Sequence, residues 1–188
     1  LFAKLCLSSH PAHEVVFDVK CSSMVKNTVE QCGGHAKMIR TGSSFLRRYL
    51  SQTQGKAVFG GEYAGHYVFN DGRGFGYDDG LYAALRVMEY LSQHPETSLS
   101  ALFAAYPDRF GTEDTYISTD HTNPIEVLKL VEARSADLGA CVSKIDGIRL
   151  DFQDGFGIMR ASNTGEYFTV RFDAESAASS GTEIFSSI

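Results

Sequence analysis

The sequence predicts an α/β domain followed by an α+β one. The first is a three-layer α/β domain with a mixed, largely parallel sheet; the second is a small domain with a mostly antiparallel sheet. Three observations lead there. Strand-like and helix-like runs alternate over residues 14–94, the pattern of a parallel sheet with crossover helices. After Pro107 the pattern changes to strand-like runs in succession around one helix. And 188 residues, 43% of them hydrophobic with 13 Phe and 9 Tyr, supply enough apolar material for ordinary cores. The change of pattern sets the boundary near residues 105–113.

The elements follow in order. Glu14–Lys20 is a short apolar, β-branched run ending in charge and reads as a buried strand. Ser22-Ser23 caps a helix carrying Met24, Val25, Val29 and Cys32, closed by Gly33-Gly34. Ala36–Arg40 is a weaker strand, and Thr41-Gly42-Ser43-Ser44 opens a helix through Phe45, Leu46, Tyr49 and Leu50. Ala57-Val58-Phe59 is a strand broken by Gly60-Gly61, before a polar, glycine-rich stretch from Glu62 to Gly76. Asp78-Asp79 precede the clearest helix, whose Leu81, Ala84, Leu85, Met88 and Leu91 recur with helical spacing until Pro95 stops it. In the second half, Thr115–Ser118 reads as a strand and Pro124 begins a helix with Ile125, Leu128 and Val131. Strand-like runs follow at 145–152, 156–160 and 167–172, the first two joined by a Gln153-Asp154-Gly155 turn. The last run alternates, with Phe168, Val170 and Phe172 on one face and Tyr167, Thr169 and Arg171 on the other.

Composition excludes several function classes. Seventeen Lys and Arg against 23 Asp and Glu give a formal charge of −6, which repels nucleic-acid phosphates. No apolar run approaches the ~20 residues of a membrane-spanning helix. The expected partner is a small molecule. Cys6, Cys21, Cys32 and Cys141 form neither a CxxC pair nor a regular framework, so buried reduced thiols in a cytoplasmic protein are expected. A start at Leu1-Phe2-Ala3, without initiator Met or signal sequence, suggests a piece of a longer protein.

Three segments could carry chemistry. Arg160-Ala161-Ser162-Asn163-Thr164-Gly165 combines a planar cation, small hydroxyls and a turn that frees backbone N–H groups, which suits a phosphate. It also suits a hairpin loop whose polar side chains satisfy their own backbone. Gly60-Gly61-Glu62-Tyr63-Ala64-Gly65-His66 spaces Glu62 and His66 as a helical metal pair would, but three glycines argue against a helix and against metal. As a loop it brings backbone, carboxylate and imidazole close to a polyhydroxylated ligand such as a sugar, or it is simply a tight turn. Lys20 ends a strand, where α/β sheets bind ligands and where surface lysines are also common. Asp78-Asp79 reads as a helix cap, and Ser9-His10 lacks the arrangement of a catalytic triad.

Together these segments resemble the C-terminal half of the α-D-phosphohexomutases, in particular the bacterial phosphomannomutase/phosphoglucomutase branch. The matching stretches, in family order, are Phe17–Cys21, Thr41–Phe45, Gly61–His66, Asp78–Ala84, Asp146–Arg149 and Arg160–Thr164, spanning the chain to about Ala174. The resemblance implies that residues 1–106 are most of the third of four domains and 107–188 the fourth. It implies that Gly61, Glu62 and Ala64 contact sugar hydroxyls, that Arg160, Ser162, Asn163 and Thr164 grip phosphate, and that Lys20 and His66 belong to the catalytic machinery. The implied reaction interconverts hexose 1-phosphate and 6-phosphate through a phosphoserine and Mg²⁺, with a glucose 1,6-bisphosphate-type activator. The serine and the metal ligands belong to N-terminal domains of the parent and are not in this chain, so the chain alone is expected to be inactive and metal-free. The pattern departs at Ser43, where relatives have His, at Ala64, where they have Ser, at Tyr63, and at Gly165-Glu166, where Thr-Pro is frequent. A phosphoglucosamine mutase and a non-catalytic sugar-phosphate-binding relative are the alternatives.

Overall fold

A short helix, α1 (Phe2–Ser9), leads into β1 (Glu14–Asp18), the centre of the first sheet, in a computed structural model that describes residues 1–135, 138–162 and 165–175. Then come α2 (Ser23–Gln31), β2 (His35–Ile39), α3 (Ser43–Gln52), β3 (Ala57–Gly61), β4 (Tyr67–Phe69), α4 (Gly80–Gln93) and α5 (Leu99–Ala104). The strand order is β2-β1-β3-β4, with β1 parallel to β2 and β3, and β4 antiparallel to β3. The chain divides into two compact units, Leu1–Pro107 and Asp108–Ile188.

The first unit has three layers because successive side chains of a strand point to opposite faces. Val15 packs with Cys6 and Leu7 of α1, Val29 of α2 and Ala83 of α4, while Val16 packs with Leu46 and Leu50 of α3. Each fully buried aliphatic side chain of this kind contributes about 1.5–3 kcal/mol. Phe2, Phe59, Tyr67 and Phe69 add ring contacts at 4.9–6.4 Å. Local signals set the helix starts. The Ser22 hydroxyl accepts from Met24 N–H, and the Asp79 carboxylate accepts from Tyr82 N–H.

Three features of the first unit differ from the sequence reading. The Gly60-Gly61 pair does not break its strand; β3 runs through both. Glycine stands at 60 because α3 presses on the sheet there: a Cβ would lie 2.4 Å from Leu46 Cδ1 and 2.9 Å from Leu50 Cδ1. The polar stretch after Glu62 contains β4, held by pairing with β3 and not by its own periodicity. And the apolar stripe of α4 is not its buried side. Leu81, Leu85 and Met88 are 73%, 52% and 64% exposed, while Ala83 and Arg86 are buried. Arg86 is drawn inward by Asp71, 2.7 Å away, whose carboxylate also accepts from the Tyr82 hydroxyl and the N–H groups of Arg73 and Gly74. Burial alone would raise the Asp71 pKa, but these donors and the Arg86 charge outweigh it and hold the group below its usual value.

The second unit is an antiparallel sheet: β5 (Phe110–Gly111), β6 (Thr115–Ser118), β7 (Cys141–Ser143), β8 (Ile148–Asp151), β9 (Gly155–Ala161) and β10 (Tyr167–Ala174), together with the helix α6 (Pro124–Ser135). Its order is β5-β10-β9-β8-β7, and β6 also pairs with β10. Phe168, Val170 and Phe172 pack with Val127 and Leu128 of α6. The opposite face is also buried, but with charge. Arg149 lies 3.7 Å from the Phe156 ring centroid and bonds Asp151, while Arg109 pairs with Asp173. All four thiols are free; Cys6 and Cys21 are buried as expected, whereas Cys32 is half-buried and Cys141 lies exposed on the edge strand β7. Among the described residues, no helix is long and apolar enough to cross a membrane.

Candidate functional site

The parallel strands β1, β2 and β3 end side by side, and the three loops that leave their carboxyl ends are tied together by two buried carboxylates. Asp18, the last residue of β1, is fully buried. Its Oδ1 accepts from Tyr63 N–H at 3.1 Å and from the Cys21 thiol at 3.1 Å; its Oδ2 accepts from the Thr41 hydroxyl at 2.8 Å. Glu62, just past β3, accepts from Gly42 N–H at 2.6 Å. The loop after each strand is therefore fastened to its neighbours by charge-assisted bonds, the stronger class of hydrogen bond. Burial raises the Glu62 pKa above its usual value; the Gly42 N–H opposes the shift, and the Asp18 charge adds to it.

Lys20 extends from the end of β1 and is 6% exposed, so it is not an ordinary surface lysine. Its ammonium sits 5.4 Å from the centroid of the Tyr63 ring, a cation–π arrangement that links β1 to the loop after β3. Gly61 closes β3, and residues 62–66 form a tight turn, with Gly65 N–H donating to the Glu62 carbonyl and Glu62 N–H to that of His66. This turn leaves Ala64 exposed and gives Glu62 and His66 no helical register. His66 instead pairs through Nδ1 with Asp78, which also accepts from Tyr67 N–H. Among the described residues, no group of three or more His, Cys, Asp or Glu side chains gathers as a metal site.

In the second unit, Arg160 is the last residue but one of β9, with its Nε donating to Asp146 at 3.0 Å. The contact depends on Gly147, which follows Asp146 with a φ of +77° and passes directly under β9. A Cβ there would lie 2.3 Å from the Met159 carbonyl oxygen and 2.6 Å from Arg160 Cα. Ser162 begins the β9–β10 loop. Its N–H donates to the Tyr167 carbonyl, and its hydroxyl oxygen accepts from Gly165 N–H at 3.1 Å. Asn163 and Thr164 lie outside the described residues. A cavity of about 280 Å³ adjoins this loop, lined by Ser162, Gly165 and Tyr167 together with Thr119, His121 and Thr122.

The structure thus brings Lys20, Gly61 and Glu62 together in the first unit, and places Arg160 and Ser162 at one loop of the second. Sequence reasoning missed Asp18 and Thr41 as the staple of the first group, Asp78 as the partner of His66, and Asp146 as the partner of Arg160. Each lies in a quoted segment, but the pairings join residues up to 45 positions apart. No local signal reports such a distance.

Polar loops gathered at the carboxyl ends of a parallel sheet place this unit among the open α/β proteins, whose ligands as a class sit at that edge. The comparisons narrow the class. The family model for phosphoglucomutase/phosphomannomutase, α/β/α domain III, matches residues 1–110, and the chain belongs to that family. It is 39% identical over 179 residues to a phosphomannomutase/phosphoglucomutase of Pseudomonas putida, covering 95% of this chain and 38% of that protein. A phosphoglucomutase of Neisseria gonorrhoeae is 38% identical, with the same coverage of both chains. A phosphoglucomutase/phosphomannomutase family protein from Burkholderia thailandensis superposes with a TM-score of 0.82 at 34% identity, covering 94% of this chain and 36% of that one. The chain spans well under half the length of these relatives.

Proposed function

We propose that this chain is the sugar- and phosphate-recognising part of a phosphomannomutase/phosphoglucomutase. The parent, an intramolecular phosphotransferase of the isomerase class, interconverts hexose 1-phosphate and 6-phosphate in the cytoplasm. Its phosphoserine and Mg²⁺ ligands reside in N-terminal domains outside these residues, and a glucose 1,6-bisphosphate-type compound serves as activator. The observation that carries the reading is the pair of stapled carboxylates. Burying Asp18 and Glu62 at this edge costs desolvation that their bonds to Cys21, Thr41, Tyr63 and Gly42 offset, and those bonds hold the three loops in one arrangement suited to recognition.

The roles follow from chemistry. Glu62 and the main chain at Gly61 and Ala64 meet sugar hydroxyls. The Lys20 ammonium balances negative charge at the same edge. His66 donates Nδ1–H to Asp78, which leaves Nε2 to exchange a proton with a sugar hydroxyl, as a general acid or base requires. Arg160, steadied by Asp146, reads phosphate with Ser162, Asn163 and Thr164, so this loop senses charge and not sugar orientation. Hydrogen bonds to a charged group contribute ~1.5–3 kcal/mol each, while association costs an estimated 4–15 kcal/mol. The isolated chain therefore binds sugar phosphates weakly, and without the parent's phosphoserine and Mg²⁺ ligands it is inactive.

Kinetic assays of the parent on mannose, glucose and glucosamine phosphates test the reading. Activity on the first two supports it, and preference for glucosamine phosphate makes the parent a phosphoglucosamine mutase. Ser43 and the bare, exposed Ala64 favour one other reading, a non-catalytic sugar-phosphate-binding relative, which binds all three and turns over none. Arg160→Ala weakens capture more than tenfold, about 1.4 kcal/mol. Unchanged kinetics would remove Arg160 from the site.

A further inference from the structure

The helix with the most regular apolar pattern in the chain wears that pattern on its outside. Leu81, Leu85 and Met88 fall at i, i+4 and i+7 of α4, so they form one continuous stripe, with Ala84 exposed between them. None of the three joins the hydrophobic clusters of the first unit, whereas the neighbouring Tyr82 and Ala83 do. The orientation is not loose, because the opposite side of the helix is fixed by the buried Arg86–Asp71 pair and by the Tyr82 hydroxyl on the same carboxylate. Rotating α4 to bury the leucines would expose that ion pair's partners and strand Asp71. The fold therefore holds three large apolar side chains at the surface, where a patch rimmed by polar groups such as Asp79, Glu89 and Arg73 marks a contact surface.

We infer that the α4 stripe docks the polypeptide that precedes this chain in its parent, burying Leu81, Leu85 and Met88 against an apolar face of the adjoining domain. The inference deepens the reading of this chain as part of a longer mutase and rests on it. Length and domain order point to this occupant: the chain covers 38% of its Pseudomonas putida relative, and residues 1–110 match the family's domain III, so most of that protein lies outside the match and earlier domains go with it. A domain of that size next in the chain meets the stripe without the entropic penalty of a separate partner. Covering by a second copy of this chain, or by its own second unit, are the competing occupants.

The test uses the full-length parent. Mild hydrogen peroxide followed by peptide mass spectrometry reads Met88 directly, and p-benzoylphenylalanine placed at Leu85 reports by photocrosslinking what faces the helix. The expected result is oxidation of Met88 at least tenfold slower than in the urea-unfolded protein, with crosslinks from position 85 into residues preceding Leu1. Oxidation as fast as in the unfolded protein overturns the inference. So do crosslinks into residues 108–188, or crosslinks between chains that grow with protein concentration. An open reading frame with no domain upstream removes the underlying reading as well; an upstream domain that crosslinks elsewhere removes only the docking surface. The mutase assay decides the activity independently of either result.

Discussion

Replacing Asp18 measures how strongly the three loops are held. The carboxylate is buried and accepts three hydrogen bonds, from the Thr41 hydroxyl, the Tyr63 N–H and the Cys21 thiol. Asp18→Ala removes every acceptor at once. The Thr41 hydroxyl and the Tyr63 N–H each lose an acceptor at about 1–3 kcal/mol, and the thiol adds little, so the loss is roughly 4 kcal/mol. Asp18→Asn behaves differently. Its carbonyl oxygen still accepts from Tyr63, and its amide donates to the Thr41 oxygen, so the geometry survives and only the charge assistance goes. At roughly 1 kcal/mol for each of two bonds, that variant loses about 2 kcal/mol. With a urea slope of about 1–3 kcal/mol per molar, the two midpoints separate by about 1 M. Equilibrium urea unfolding read by intrinsic fluorescence and circular dichroism gives both numbers. If Asp18→Ala loses less than about 1 kcal/mol, or matches Asp18→Asn, the staple does not carry the load assigned to it.

Two further outcomes are expected. Glu62 binds its proton more tightly when folded than at the usual glutamate value of 4.5, so its contribution to stability is fully present below that value. It is lost as pH rises through the raised value; Glu62→Gln flattens this part of a pH series of urea midpoints, and an unchanged slope would assign it to another group. Gly147→Ala places a methyl against the Met159 carbonyl in a left-handed backbone, lowering stability by roughly 2 kcal/mol or more and weakening sugar-phosphate capture by the parent. Thermal melts and binding assays on the same sample check both effects.

The sequence made the two sheets legible because their signals are local. The β-branched run at 14–18 and the alternation at 167–172 each state a strand within a few residues. β4 is illegible because three residues paired through β3 need no pattern of their own, and the buried side of α4 is illegible because Arg86 reads as a solvent residue until Asp71 is placed beneath it. The candidate site divides in the same way. Lys20, Glu62 and Arg160 stand out by type and position, whereas Asp18, Asp78 and Asp146 act through partners that only the folded chain supplies.

The staple reaches Tyr63 through its main-chain amide and not through the phenol ring. Any residue except proline can present that amide, so an exchange at 63 gives up the Lys20 contact with the ring but leaves the staple beneath it in place. A loop wired in this manner can be re-aimed at a new ligand by a single exchange, with the frame untouched.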